Sequence, residues 1–221
     1  MTEPQSLSTS DLPGIVAVFP LDGAVLLPGG ELPLRIFEPR YLNMIDDLMA
    51  GDRFLGMVQT RAGGDRERPN LAHVGCVGKI TSFNETADGT YLITLTGVCR
   101  FAAGEELSAR TPYRQVRARF EAYAIDLVDE DDPDQGFDRS RFARALKTYL
   151  NRRELDIDWD TAQSAPLEAL VTSLSMGLPF APSEKQALIE ATTLIDRCET
   201  LTTLLEIDAL EDDDDGNRSI Q

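Results

Sequence analysis

The chain has 221 residues, a formal net charge of −17 and 42% hydrophobic residues. These values are typical of one large or two small folded units, and they exclude disorder over most of the length. No basic leader precedes an apolar run at the N-terminus, and no stretch reaches the roughly 18 apolar residues of a membrane span. We therefore expect no secretion, no membrane insertion and a cytoplasmic location.

Two short runs carry most of the negative charge. The segments DLVDEDDPD (126–134) and DALEDDDD (208–215) each contain six acidic residues and no basic residue. Such runs are usually solvated. They predict an acidic linker over 125–137 and an acidic flexible tail over 208–221, and we also expect a flexible N-terminus over 1–14.

Alternating apolar and polar residues dominate 15–124 and predict a β-rich domain of half-buried antiparallel strands. YLITLTGV (91–98) alternates, and VRARFEA (116–122) places four residues on one face: Val116, Ala118, Phe120 and Ala122. Three further strand candidates are IVAVFPL (15–21), FLGMVQ (54–59) and VGCVGKITSF (74–83). The Asp-Gly pair in NETADGT predicts a hairpin loop.

One helix interrupts the strands, at LPLRIFEPRYLNMI (32–45), which reads as the end of a strand that turns into a helix. Pro39 suits the first helical position, where no N–H is needed. Gly51 is expected to close the helix in a left-handed conformation. The predicted apolar stripe consists of Tyr41, Leu42, Ile45, Leu48 and Met49.

After the first acidic run the apolar period becomes 3.6 residues, which predicts a helical bundle over 138–207. Phe142, Ala145, Leu146, Tyr149 and Leu150 share a face of the first of three helices, and Leu167, Leu170, Val171 and Leu174 share a face of the second, with Gly177 beyond it. The third opens with Ser183 and Gln186 in capping-box spacing. Its expected inward residues are Leu188, Ala191, Ile195, Cys198 and Leu205.

Candidate catalytic chemistry is sparse. The chain contains no phosphate-binding loop, dinucleotide fingerprint or hydrolase elbow, so we expect no cofactor. The three cysteines, Cys76, Cys99 and Cys198, have apolar or small neighbours and read as reduced core residues. The lone histidine, His73, lies near Cys76, but residues i and i+3 of a strand point to opposite faces. We expect no catalytic or metal site, and a small enzyme with a site near His73 and Cys76 is kept as an alternative.

Four arginines surround a tyrosine in RTPYRQVRAR (110–119), a pattern that can track a phosphate backbone. These arginines lie on the polar face of a predicted strand, and the protein is acidic, which opposes long-range attraction of a polyanion. No nucleic-acid partner is expected, although RNA binding stays open as a second alternative. Trp159 is interpreted as an inter-helix or inter-domain packing residue.

Several segments together resemble a known family. They are VFPLDGAVLLPGGELPLRIFEPRY (18–41), HVGCVGKI (73–80), DGTYLITLTGVCRF (88–101), PYRQV (112–116) and SEKQALIEATTLIDRCETL (183–201). They resemble the N-terminal substrate-recognition (LON) domain of Lon-type ATP-dependent proteases, over about residues 15–205. The chain has no ATPase motif and no room for a Ser–Lys peptidase domain, so it looks like a stand-alone bacterial LON-domain protein.

The resemblance implies an α+β fold: a β-rich PUA-like pseudo-barrel over 15–124 with one inserted helix, followed by a C-terminal helical bundle. It implies a non-enzymatic module that recognises unfolded or apolar polypeptide segments, with a protease or chaperone as a further partner. The binding surface and the oligomeric state stay undefined. The residues expected to form the structural signature are Pro33, Arg35, Phe37, Glu38, Pro39, Arg40, Tyr41, Gly97, Arg100 and Phe101.

The signature has a physical interpretation. Phe37 and Tyr41 are expected to plug the junction of strand and helix, and Glu38 is expected to pair with Arg35 and Arg40, which fixes how the helix leaves the sheet. Gly97 is interpreted as a position of close approach within a strand.

Overall fold

The computed structural model describes residues 7–65, 68–108, 110–128 and 136–215, the last six of these by their backbone only. In the N-terminal half, one helix, α1 (Pro39–Met49), lies among the strands, and short 3-10 helices span Thr9–Asp11 and Glu121–Leu127. The strands are β1 (Ile15–Pro20), β2 (Glu31–Ile36), β3 (Phe54–Val58), β4 (Thr60–Asp65), β5 (Arg68–Leu71), β6 (Val74–Glu85), β7 (Tyr91–Glu106) and β8 (Arg114–Arg119).

Six strands form one mixed sheet in the order β2-β7-β6-β3-β1-β8, and β7 also pairs with β8, so the sheet closes on itself. The pair β1–β3 is parallel and the other neighbours are antiparallel. Closure depends on β7, which is 16 residues long. Its first part, 91–96, pairs with β2, and its last part, from Ala102 onward, pairs with β8 and closes the sheet. β2 therefore keeps an unpaired edge. The strands β4 and β5 form a separate two-stranded sheet.

The alternation in β7 places its apolar residues as predicted. Ile93, Leu95 and Cys99 are buried, whereas Leu92 is exposed. The predicted hairpin between β6 and β7 turns at Gly89, whose φ is +75°. In β8 the expected face ends early: Phe120 is buried but Ala122 is exposed, because the chain enters the 3-10 helix at Glu121.

Helix α1 begins at Pro39 as predicted, and its buried face consists of Tyr41, Met44 and Ile45. The expected left-handed cap at Gly51 is wrong. Arg53 instead adopts a positive φ of 66°, and its N–H donates to the carbonyl of Leu48. The chain thus turns two residues later than the glycine suggested.

The C-terminal half is helical: α2 (Arg139–Arg152), α3 (Trp159–Ser164), α4 (Leu167–Gly177), α5 (Pro182–Glu190) and α6 (Leu194–Asp215). An apolar core joins α2, α4, α5 and α6, and half-buried Trp159 packs against it. The expected continuous third helix is wrong, because 191–193 separates α5 from α6. The expected capping box is also shifted: Glu184, rather than Gln186, accepts the N–H of the residue before the helix, Ala181.

Three expected flexible segments are partly ordered. Leu12, in the expected N-terminal segment, is buried. The 3-10 helix ending at Leu127 enters the expected linker, and helix α6 continues through 208–215 of the expected tail. Asp208 there pairs with Arg153. The remainder of those predictions concerns 1–6, 129–135 and 216–221, which lie outside the described residues. Among the described helices, none has both the length and the apolar character needed to cross a bilayer.

Candidate functional site: the cleft between sheet and helices

An elongated depression separates the closed sheet from helix α4. We name it the apolar groove; it is formed by 28–33 on one side and by residues between Pro166 and Gly177 on the other. Its volume is about 730 Å³ and its lining is more apolar than polar. That volume lies within the range typical of ligand pockets. The apolar side chains that line it include Pro28, Leu32, Pro33, Ala169 and Met176.

Glycines position the sheet side of this groove. Gly29 has a φ of +72° and donates its N–H to the carbonyl of Gly97 at 3.0 Å, and Gly97 donates back to the carbonyl of Gly30 at 2.8 Å. A Cβ at Gly97 would overlap the carbonyl oxygen of Leu27. A Cβ at Gly30 would overlap the sulfur of Met176. Gly97 therefore allows the loop before β2 to lie against β7, because a Cβ there would meet backbone, and Gly30 leaves room for the side chain of Met176 in α4.

Arg100 in β7 connects the sheet to the helices. Its side chain is buried and forms an ion pair with Asp126 of the second 3-10 helix, with Nη2 and Oδ1 2.6 Å apart. The guanidinium also donates to the backbone carbonyls of Ile189, Ala191 and Thr192, which lie where α5 passes into α6. Arg100 thus joins the helical half to β7, and Gln59 and Gln186 add further hydrogen bonds between the sheet half and α5.

Phe101, next to Arg100, points into the sheet interior and is fully buried. Its ring occupies space left by Gly56 and Gly75 and lies 6.1 Å from the ring of Phe120. The structure therefore places both Arg100 and Phe101 at packing positions.

The corner between β2 and α1 differs from the expectation in two respects. Phe37 is 65% exposed and does not plug the junction; Tyr41 lies there, with its ring 4.4 Å from that of Phe19. Glu38 pairs with Arg40 at 2.8 Å in solvent, with both side chains more than 40% exposed.

Arg35 does not join the ion pair expected at this corner. Because its side chain points to the outer face of β2, its partner is Asp88 in the β6–β7 hairpin, at 2.8 Å. Pro33 lies at the centre of the edge strand β2, and Pro39 occupies the first turn of α1. A proline is compatible with an edge strand where the missing N–H would face outward.

The structure does not bring the enzyme candidates together. His73 is exposed and its Nε2 lies 2.9 Å from a nitrogen of Arg61. Cys76 is fully buried, and burial raises the pKa of its thiol, which opposes a nucleophilic role. In the parts of the chain that the structure describes, no three His, Cys, Asp or Glu side chains are grouped to hold a metal ion.

Two of the four arginines in the 110–119 segment, Arg114 and Arg117, lie beside acidic residues. Arg114 donates to both carboxylate oxygens of Glu106, and the hydrogen bond from Arg114 lowers the pKa of Glu106. Arg117 lies 3.7 Å from Glu105. The close Arg114–Glu106 pair removes one of the four positive charges on which the RNA alternative depends.

Sequence reasoning missed three parts of the cleft: the groove face of α4, the buried role of Asp126, and Arg197. Asp126 was assigned to the solvated acidic run. Its immediate neighbours, Ile125 and Leu127, are apolar, which distinguishes the first acid of that run from the others. The glycine pair at 29–30 was the available signal for the close approach of the loop.

The comparisons with known proteins agree with this architecture. A family model described as the ATP-dependent protease La (LON) substrate-binding domain matches residues 15–206. The chain belongs to this family.

Among the relatives of this LON domain, the Lon protease of Flavobacterium johnsoniae is 25% identical over 224 residues. The match covers 94% of the present chain but 26% of that protein, so the chain spans about a quarter of the relative's length.

Two solved structures share the fold. One is the crystal structure of a Lon N-terminal domain protein from Xanthomonas campestris, with a TM-score of 0.60, 22% identity and coverage of 86% of this chain and 97% of that chain. The other is the N-terminal domain of a Mycobacterium avium complex Lon protease, with a TM-score of 0.57, 18% identity and coverage of 87% and 98%. At these identities the likeness concerns the fold of the LON domain.

Proposed function

We propose that this LON domain is a non-enzymatic recognition module that binds unfolded or apolar polypeptide segments in the apolar groove. The observation that carries the proposal is the groove itself, a depression of about 730 Å³ with a mainly apolar lining, in a chain of the LON substrate-binding family. An extended segment can bury apolar side chains there. A separate protease or chaperone would act on what the module holds.

The architecture of the proposed module is a PUA-like pseudo-barrel followed by a helical bundle, and Arg100 of the signature joins the two parts. We also place the protein in the cytoplasm. The buried thiols of Cys76 and Cys99 support that location, because free thiols persist in reducing compartments.

The test is a binding measurement with a matched pair of variants. Ala169 is an exposed residue of α4 that lines the groove, and Ala143 is an exposed residue of α2 that does not. Ala169→Trp should fill the groove and weaken the binding of fluorescein-labelled unfolded polypeptides about tenfold or more, a loss of roughly 1.4 kcal/mol. Ala143→Trp should bind as the wild type does.

Melting temperatures of both variants should match that of the wild type, so that lost binding reports on the groove. The proposal is overturned if the wild-type chain retains no unfolded polypeptide in arrays and crosslinking, or if both tryptophan variants bind like the wild type.

A further inference from the structure

A second depression adjoins the apolar groove. We name it the polar cavity; it has a volume of about 490 Å³, and its charged residues are Arg100, Asp126, Arg197 and Glu168. It shares Pro28, Gly29 and Glu168 with the apolar groove, so the two form one continuous cleft. The groove is mainly apolar, and the cavity contains two buried guanidinium groups.

The two arginines differ in how their donors are used. An arginine side chain has five N–H donors. Those of Arg100 are engaged by Asp126 and by the carbonyls of Ile189, Ala191 and Thr192. Arg100 and Asp126 therefore satisfy each other and leave no donor for a ligand.

Arg197 is 4% exposed, and its Nε donates to the carbonyl of Leu188 at 3.1 Å. Within the described ranges, neither of its terminal nitrogens has a hydrogen-bond acceptor or a carboxylate at ion-pair distance. Burial lowers the pKa of Arg197, and the charge of Arg100 lowers it further. The terminal nitrogens of Arg197 are not among the buried atoms without a partner in the described residues, so they reach the solvent in the cavity, where an anion can accept their N–H groups.

The residues that lead into α6 also border the polar cavity. Thr192, Thr193 and Leu194 line it at the N-terminus of a helix 22 residues long. This terminus is already capped within the chain, because the N–H of Asp196 donates to the hydroxyl of Thr193 and the Asp196 carboxylate accepts the N–H of Thr193. Arg197, rather than the helix terminus, is therefore the feature of the cavity that favours an anion.

We propose that the polar cavity binds a carboxylate of the polypeptide whose apolar side chains occupy the apolar groove. The proposal rests on the proposed function and adds a charge requirement to it. A planar guanidinium matches a carboxylate. Asp126 and Glu168 in the cavity wall disfavour a dianion such as phosphate more than they disfavour a monoanion. The carboxylate comes from a C-terminus or from an Asp or Glu side chain.

The experiment uses the full chain and a fluorescein-labelled Ala-Leu-Ala-Leu-Ala-Leu peptide in three forms, compared by fluorescence anisotropy. The forms are the C-terminal acid, the C-terminal amide, and the amide with one internal Ala→Asp change. The acid should bind about tenfold more tightly than the amide if the C-terminus is the source. The Asp-containing amide should show that gain instead if a side chain is the source.

Equal binding of all three forms overturns the carboxylate inference and leaves the groove proposal standing. Absence of binding by any form counts against the groove proposal. In that event, titration of the wild-type chain with acetate decides the inference separately: a saturable rise in melting temperature supports it, and no rise overturns it.

Variants of Arg197 and Glu168 are expected to change the preference for the carboxylate form in opposite directions. Arg197→Met should abolish the preference for the carboxylate form. Glu168→Gln changes an exposed residue in the first turn of α4 and should increase the preference for the carboxylate form over the plain amide about threefold. An unchanged preference in both variants contradicts the assignment, and Glu168→Gln keeps the test valid if Arg197→Met does not fold.

Discussion

Asp126 and Arg100 form a buried ion pair, 2.6 Å apart, with side-chain exposures of 5% and 2%. Twenty-six positions separate them in sequence, and one belongs to a 3-10 helix while the other belongs to β7. Arg100 also donates to three backbone carbonyls between the end of α5 and the start of α6. The pair therefore helps to position the helices relative to the sheet, on one side of the cleft.

Replacing Asp126 with alanine should destabilise the protein by about 3–5 kcal/mol, because it leaves the Arg100 cation buried without its partner. The free energy of unfolding in urea measures this loss. Glu105→Ala is the matched control, since Glu105 and Arg117 are both more than 60% exposed, and that variant should unfold nearly as the wild type does. Equal stability of the two variants would contradict the central role of the Arg100–Asp126 pair.

The second prediction concerns Glu38. Because Glu38 and Arg40 pair in solvent, Glu38→Ala should cost less than about 1 kcal/mol. Tyr41→Ala, at the same corner, should cost about 3 kcal/mol or more, because the Tyr41 ring is buried against Phe19. Chemical denaturation measures both changes. If Glu38→Ala keeps wild-type stability and nevertheless abolishes peptide binding, the corner itself is a recognition surface.

Gly97→Ala should destabilise the protein by about 1–3 kcal/mol, because the new methyl group overlaps the carbonyl oxygen of Leu27 and pushes the loop before β2 away from β7. Gly14→Ala is the control, since a Cβ there meets nothing within 4 Å. Melting temperatures should separate the two variants clearly. An unchanged melting temperature for Gly97→Ala would show that the loop before β2 can move without loss of stability.

The fourth prediction is a loss of stability at alkaline pH. Burial raises the pKa of Cys99 to about 12 and raises that of Cys76 as well. In the unfolded chain a thiol ionises near pH 8.5. The contribution of the raised thiol pKa values to the stability of the folded protein is therefore complete below that pH and is lost as the pH rises above it. Between pH 8.0 and 9.5 the free energy of unfolding should fall by about 1 kcal/mol for each of these thiols.

Urea unfolding at those two pH values tests this prediction. Cys99→Ala should reduce the pH dependence of the free energy of unfolding, and the tyrosines, whose pKa values are also raised, supply a smaller part of it in both proteins. A free energy of unfolding that is constant over this interval would show that the thiols titrate normally in the folded protein.

The sequence by itself determined the elements whose pattern is local. Alternation predicted β7, because side chains on a strand point to opposite faces in turn, and Pro39 predicted the start of α1 because its missing N–H is tolerated there. The apolar stripes predicted which faces of α2 and α4 are buried. The family pattern likewise depends on short segments that the chain carries in order.

Only the tertiary structure decided which charged residues meet. Asp126 looked like the other acids of its run, since composition cannot show that a 3-10 helix carries it to a buried arginine in β7. Phe37 looked like a core residue, yet the turn into α1 points it to solvent. The helical pattern around Arg197 gave no sign of its role, and Arg197 lines the polar cavity because α6 starts beside the sheet. Long-range pairing and solvent access depend on how elements pack, and a local pattern does not contain that information.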